Sequence, residues 1–427
     1  MAGKQVPPQP KTKTMRRIGL YLLLTTGLLI GAGQVWAQHP DSLLHQAITR
    51  NQALLALKNT YLAALEKAPQ VNQLPNPEVA LGAFILPVET RLGPQRVRLS
   101  ATQMFPWFGT LHAQEDWATV EARAIFERIA ALELELKYRI DNAYFTLYEL
   151  SASQGILQEN VELLQALKEL AESKVASGTA SLADVLRLEL QIDAYAQRIR
   201  LLENRKRKPQ AEINQILFRD LATPIVVQDT LSLALLPLDR DSLLNEVRST
   251  HPMLRMYELQ QQAAEAAIRV NTLQGRPAFG IGVDYFNTGP RTDAFPEQNG
   301  RDAFQVRATL SIPLYRGKYE AREREERLRI EALEARKLEM LSQFEASIEM
   351  AFADYAEARL DLDLFERQIQ TTHAAIEILE ASYASQAQGF DELLRLEGAL
   401  LDYQLKQLQA IVKSHTASAA IMRYLPY

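Results

Sequence analysis

The sequence predicts a mainly α-helical protein with a small β part, built from one strand–strand–long-helix unit used twice. Three observations predict it. First, no glycine or proline interrupts the chain from Lys318 to Gln388. Such a run allows a helix of ~100 Å at 1.5 Å per residue, whereas ordinary globular helices end within about 20 residues. Second, segments recur in the same order. Asp41-Ser42-Leu43-Leu44 returns as Asp241-Ser242-Leu243-Leu244, and Pro77 as Pro277. Phe105-Pro106-Trp107-Phe108 aligns with Ile312-Pro313-Leu314-Tyr315, and Val185-Leu186-Arg187-Leu188-Glu189 with Leu393-Leu394-Arg395-Leu396-Glu397. The offset drifts from 200 to 208, which places the added residues in the polar stretch Asn287 to Asp302. Two copies are too few for a stacked solenoid, so this is a duplication. Third, two segments in each copy alternate apolar and polar residues with period two.

Composition narrows the function classes. The 427 residues carry 47 Lys+Arg against 52 Asp+Glu and no cysteine. The balance gives no electrostatic footprint for nucleic acid. Without cysteine there are no disulfides, thiolate metal sites or thiol nucleophiles, and no thioether lipid. At the N-terminus, Lys11, Lys13, Arg16 and Arg17 precede an apolar stretch, Ile18 to Ile30, and then small residues up to Ala37. That order reads as a secretory signal peptide over 1–37, cut after Ala37. The apolar stretch is short for a membrane span of ~20 residues.

The elements follow in order. The first copy, 38–208, opens with short helices, Asn51 supplying a start signal. In the second copy, 241–427, Thr250-His251-Pro252 stops one helix and starts the next. Strands are expected over about 77–106 and 277–313. Val79, Leu81, Ala83 and Ile85 share one face, and Phe304, Val306, Ala308 and Leu310 alternate with Gln305, Arg307 and Thr309. One apolar and one wet face over nine or so residues suits a strand of a membrane barrel. Phe105, Trp107, Phe108, Phe286, Phe304 and Tyr315 cluster at the strand ends, where aromatic girdles meet the interface. Long helical hairpins are expected over about 107–208 and 314–425, turning at Gly178 and Gly389. The basic run Arg205-Lys206-Arg207-Lys208 is expected to end the first hairpin, where cations suit the helix dipole. Residues 209–240 connect the copies as an equatorial segment.

Four strands cannot close a barrel, since natural ones start at eight. An open edge in lipid would strand backbone donors and acceptors. Strands in a membrane would therefore be shared between chains. A cyclic trimer gives twelve, with the helices continuing below as a coiled-coil barrel.

At this point the chain resembles the outer membrane efflux proteins, the TolC-like family, over essentially all of 38–427. The resemblance rests on the duplicated unit, on Pro106-Trp107-Phe108-Gly109 and Pro313-Leu314-Tyr315-Arg316-Gly317 after the strands, and on the hairpin-tip pattern Gly178 to Leu186. It implies an outer-membrane channel of a tripartite efflux system that extends into the periplasm and works as a homotrimer. Its implied partners are outer-membrane lipid, a periplasmic adaptor (membrane fusion) protein and an inner-membrane pump, the RND type being one candidate. The implied cargo is drugs, metal ions or secreted proteins. The alternative is a non-conducting periplasmic coiled-coil scaffold or adaptor. The resemblance also places adaptor docking or a gate at the tips, with Tyr383 at the family's gating tyrosine. The family's Asp-Val-Leu-Asp appears as Asp184-Val185-Leu186-Arg187 and Glu392-Leu393-Leu394-Arg395, so Arg replaces the second carboxylate in both copies. Arg187 and Arg395 are expected to pair with Asp184 and Glu392 and weaken an acidic ring, with Asp391 beside them.

The six histidines have no His-x-x-x-His spacing, and Gly280-x-Gly282 lacks the third glycine of a dinucleotide loop. No enzyme activity, cofactor or metal site is expected.

Overall fold

The computed structural model describes residues 38–426 apart from 229, 237–238 and 387–388, so the leader assigned to 1–37 and its cut after Ala37 lie outside the described residues. The duplication appears as two runs of the same elements. The first is α1 (Pro40–Arg50), α2 (Gln52–Leu65), α3 (Lys67–Val71), β1 (Glu78–Thr90), β2 (Gly93–Phe105), α4 (Thr110–Ala176) and α5 (Leu182–Ile216). The second is α6 (Arg240–Thr250), α7 (Pro252–Gln274), β3 (Ala278–Thr288), β4 (Ala303–Ser311), α8 (Gly317–Gln386) and α9 (Phe390–Met422).

Caps set the helix starts. Asn51 Oδ1 accepts from the Ala53 and Leu54 amides at 3.0 and 3.1 Å, while its Nδ2 donates to the Ile216 carbonyl at 2.9 Å. The cap of α2 thereby fastens the end of α5. His251 does the matching work for α7, its Nδ1 accepting from the Met253 amide at 3.2 Å, with Pro252 in the first turn. Caps of this kind contribute ~1 kcal/mol each.

The long helices are α4, with 67 residues, and α8, with 70. Gly155 does not interrupt α4; a single interior glycine costs about 1 kcal/mol, small beside the packing of such a helix. The first return helix departs from expectation. It does not end at Lys208 but runs through Pro209 to Ile216. The basic run therefore sits inside a helix and not at a dipole end. Proline deletes one helical hydrogen bond, and packing beyond it offsets the loss. Ile213, Ile216 and Leu217 join Leu43, Leu54, Ile140 and Tyr144 in one core cluster. Asn214, fully buried, donates to the Leu221 and Thr223 carbonyls at 3.0 and 2.8 Å and fixes the exit.

The four strands form one antiparallel sheet in the order β1-β2-β3-β4. Both hairpin connections lie at the end away from the helices and are joined there. The Gly289 amide donates to the Pro94 carbonyl at 2.8 Å and the Gly300 amide to the Leu92 carbonyl at 2.7 Å. Asn287, expected in the loop, belongs to β3. The Asp302 carboxylate accepts from the Thr288 amide at 2.8 Å and from Asn287 Nδ2 at 3.2 Å, which extends the strand pairing to the loop's edge. In β1 the register shifts between Ala83 and Val88, so Ile85 lies in a bulge instead of continuing the alternation.

The helices lie side by side, four wide at each level. Towards the sheet the order is α2, α4, α7, α8; towards the tips it is α5, α4, α9, α8. One core cluster near the tips combines Leu164 and Leu167 of α4, Leu188 of α5, Ile376 and Tyr383 of α8, and Leu393 of α9. Another, at the level where α6 and α7 begin, combines Leu243, Val247 and Leu254 with Phe344 and Ile348 of α8 and Tyr424 after α9.

Candidate functional site

The sheet has two unlike faces. Directly paired residues share a face, and the register puts Leu81, Leu99, Tyr285 and Phe304 in one row and Val79, Ala101, Val283 and Val306 in the next. This face is apolar and open: Leu81 is 76% exposed, Ile281 59% and Val306 79%. An apolar sheet face of this extent, bare in the single chain, requires a cover. From Phe304 to Ile312 it extends about 27 Å along the chain. Tilted as barrel strands are, that spans ~20 Å, close to the apolar band of an outer-membrane barrel.

The opposite face is polar. Ser100 pairs with Asp284 and Arg98 with Phe286; Gln305 and Arg307 pair with Asp284 and Gly282. The Asp284 side chain is fully buried between two arginines. Arg98 Nη2 donates to its Oδ1 at 2.9 Å, Arg307 Nε to its Oδ2 at 3.3 Å, and Arg307 Nη2 to Thr102 Oγ1 at 2.9 Å. The network ties β2, β3 and β4 together on the wet side. Gly282 makes it possible, because a Cβ there would come within 3.0 Å of Thr102 Oγ1 and 3.2 Å of Arg307 Nη2.

The aromatics fall into two groups. At the helix end, Phe105 pairs with Phe279, on which Trp107 stacks at 5.8 Å while Phe108 lies tilted against it at 6.3 Å. Phe108 and Tyr315 are 80% and 86% exposed. At the far end Phe304 meets Tyr285 at 5.2 Å. Phe286 differs from expectation. Strand alternation puts it on the polar face, under the Arg98 guanidinium at 5.5 Å. Tyr285 and Phe279, which period-two alternation sets on one face with Ile281 and Val283 but which the strand-end aromatics did not include, hold the apolar-face positions. Their parity in β3 was the signal.

At the far ends of the long helices the two tips are built differently. Gly178, in the left-handed region at φ 72°, closes α4 with its amide bonded to the Val175 carbonyl at 3.0 Å. Ser181 then caps α5 through the Ala183 amide at 3.2 Å. Gly389, at φ 86°, is instead the N-cap of α9 and the counterpart of Ser181 at the offset of 208. The two glycines thus serve opposite ends of the turn. Gln386 ends α8, and the chain after it lies outside the described residues until Gly389.

Arg395 pairs with Glu392, and its hydrogen bond holds that carboxyl below the usual range. Arg187 pairs with Asp391 of the other copy and not with Asp184. Asp184 lies in the first turn of α5. Tyr383 is 1% exposed and packs on Phe390 at 5.5 Å, with Lys174 Nζ 5.1 Å above its ring. Its hydroxyl is buried without a hydrogen-bond partner among the described residues; burial and then the Asp184 charge push its pKa up. One residue here escaped sequence reading. Glu397 is 2% exposed, with Oε2 unpartnered among the described residues, and burial, aided by Glu380, lifts its carboxyl to about 7. Its place in the apolar row of α9, with Leu393 and Leu400, was the available signal.

No family model matches the chain. It is similar to a pyoverdine export outer membrane protein, OpmQ, of Pseudomonas putida, with 22% identity over 337 residues, covering 77% of this chain and 69% of that one. Its structure superposes on the outer-membrane channel OprN with a TM-score of 0.71, at 21% identity and coverage of 91% of this chain and 89% of that one. The fold is that of an outer-membrane channel. A second match, the outer membrane protein VceC of Vibrio cholerae, gives 0.71 at 17% identity, covering 91% and 96%. The TolC-like fold expected from the duplication is therefore the fold observed. Among the described residues no helix is long and apolar enough to cross a membrane.

Proposed function

We propose that the chain is one of three subunits of an outer-membrane channel that exports small molecules or ions in a tripartite efflux system. The observation that carries this reading is the pair of open edges. β1 and β4 each have one unpaired side, and the helix layer ends on α2 and α5 at one margin and on α8 at the other. Unpaired strand edges beside an exposed apolar face are untenable in lipid unless a neighbour supplies the missing partner. Head-to-tail contact of β4 and α8 with β1, α2 and α5 of the next copy, repeated round an axis, removes every edge. Three copies give twelve strands, within the range of membrane barrels, and leave the Arg98–Asp284–Arg307 face towards water.

The likeness to OpmQ and OprN supports an outer-membrane site and an export role. An exposed apolar sheet is out of place in a soluble periplasmic scaffold. In this reading the leader 1–37 directs export. The tips around Gly178, Asp184, Arg187, Tyr383, Gly389, Asp391, Glu392 and Arg395 dock a periplasmic adaptor, which links the channel to an inner-membrane pump, and they narrow the tube. Cargo choice rests with the pump.

Membrane fractionation tests the reading. The full chain should sediment with outer membranes, require detergent, and run as a trimer. A soluble monomer after export overturns it. For the tips, replacing Gly178 and Gly389 with Trp should reduce efflux in a deletion strain while trimers still form; unchanged efflux overturns docking there.

A further inference from the structure

The helical layer of a single chain carries a concavity of its own. Where α4, α7 and α8 meet, a groove of about 580 Å³ opens between Trp117 and Glu121 of α4 and Leu333 and Arg336 of α8. Alanines make the room: Ala263 and Ala264 of α7, both buried, form the floor, and Ala124 and Ala332 lie at the sides. A second hollow of about 550 Å³ shares Arg128 with the first and continues along α4 to Glu135 and along α8 to Ser347. From Trp117 to Glu135 the furrow runs ~27 Å.

Its walls are apolar and its cations are not fully compensated. Trp117, Ile125 and Leu333 line the first hollow, and Leu132, Met340 and Phe344 the second. Lys67 steadies the Trp117 ring, its Nζ lying 5.5 Å from the centroid. The charged side chains of the first hollow are Glu121, Arg128, Glu326, Arg329 and Arg336. Glu326 is fully buried and already engaged, with Arg322 Nη2 2.5 Å from its Oε1 and Arg329 Nη1 3.1 Å from its Oε2. In the second hollow Arg423 pairs with Glu135 at 2.6 Å. Arg128, Arg336 and Glu121 have no hydrogen bond or ion pair among the described residues. The groove is left with two guanidinium groups against one carboxylate, an excess of positive charge beside hydrocarbon.

On a convex surface water satisfies a guanidinium. In a half-enclosed groove its field is less screened, and its planar fork matches a carboxylate or other oxyanion. The volume is that of sites for small organic ligands, roughly 300–1,000 Å³. Repulsion disfavours a cation, and two arginines beside a carboxylate are too few for a polyanion. We propose that the furrow binds a small organic monoanion with a flat apolar body. Arg128 and Arg336 take its carboxylate or sulfonate, and the body lies on Trp117, Ile125 and Leu333. Every lining residue belongs to one chain, so the site is complete within a subunit and does not rest on the trimeric reading. It gives the helical wall a ligand preference of its own, separate from any choice made by a pump.

The test titrates 2-naphthalenesulfonate into the full chain in an uncharged detergent, read by calorimetry, with the uncharged 2-naphthalenesulfonamide as control. The sulfonate should bind once per chain, and the sulfonamide about tenfold more weakly. Arg128→Gln and Arg336→Gln should each weaken sulfonate binding about tenfold, the effect of losing one charged hydrogen-bond donor. Ala332→Trp keeps both arginines but fills the groove, and should abolish binding. Arg123→Gln, at an exposed position of α4 outside the groove, should leave binding unchanged. Circular dichroism checks that each variant keeps its helices. Equal binding of the two probes, or of wild type and the two arginine variants, is adsorption to detergent or surface and overturns the proposal. A wild-type chain that binds neither probe also overturns it. A soluble monomer that still binds contradicts the channel reading and spares the groove, whereas a trimer that binds neither probe contradicts the groove alone.

Discussion

His251 is buried between the Phe344 ring at 4.4 Å and the Tyr424 ring at 6.0 Å, with Nδ1 accepting the Met253 amide. Burial, reinforced by the Arg423 charge, lowers its pKa from 6.5 to about 4. The neutral ring is therefore the folded form. Its contribution is fully present above pH 6.5 and is lost as pH falls towards 4, because the unfolded chain takes up the proton first. At full effect this is on the order of 3 kcal/mol. Glu397 has the reverse sign. Its carboxyl is raised from 4.5 to about 7, so its contribution is present below pH 4.5 and lost as pH climbs through 7. Two outcomes follow. His251→Asn keeps a helix cap and should flatten the loss of stability between pH 6.5 and 4, measured by chemical unfolding. Glu397→Gln should stabilise the protein at pH 8 and change little at pH 4.

At the scale of elements, the sheet's two faces predict opposite tolerance. Val306→Arg puts a cation on the apolar face and should destabilise the barrel by about 2–4 kcal/mol if that face meets lipid. Its neighbour Gln305 lies on the wet face, so Gln305→Arg should be tolerated; heat resistance of the oligomer in detergent reads both. Asp284→Ala should also lower heat resistance, because Arg98 and Arg307 lose their shared acceptor. Much of this level was legible in the sequence. Period-two alternation disclosed the strands, and the run without glycine or proline disclosed α8. The Arg98–Asp284–Arg307 network was hidden, because register between distant strands is set by pairing and not by spacing. The end of α5 was hidden too, since Pro209 reads as a stop and only the tertiary contacts of Ile213, Asn214 and Ile216 carry the helix past it. At the tips, the partner of Arg187 lies in the other copy, a contact that no local pattern carries. Phe286 was assigned by its place near a strand end, whereas parity decides its face.

At the scale of the whole molecule, each margin of the subunit is an unfinished surface. The chain leaves β4 directly into α8, so one margin runs continuously from sheet to tip. The other margin is assembled from β1, α2 and α5. In the proposed trimer, closure between these margins turns the layer into a tube, and the length of α8, ~105 Å, becomes the depth of its wall. Single-channel recording tests this account most directly. Full chain extracted from outer membranes as a trimer and added to a planar lipid bilayer should produce discrete conductance steps, absent after heat dissociation to monomers. Trimers that insert without conducting, or a chain that never leaves solution, would contradict it.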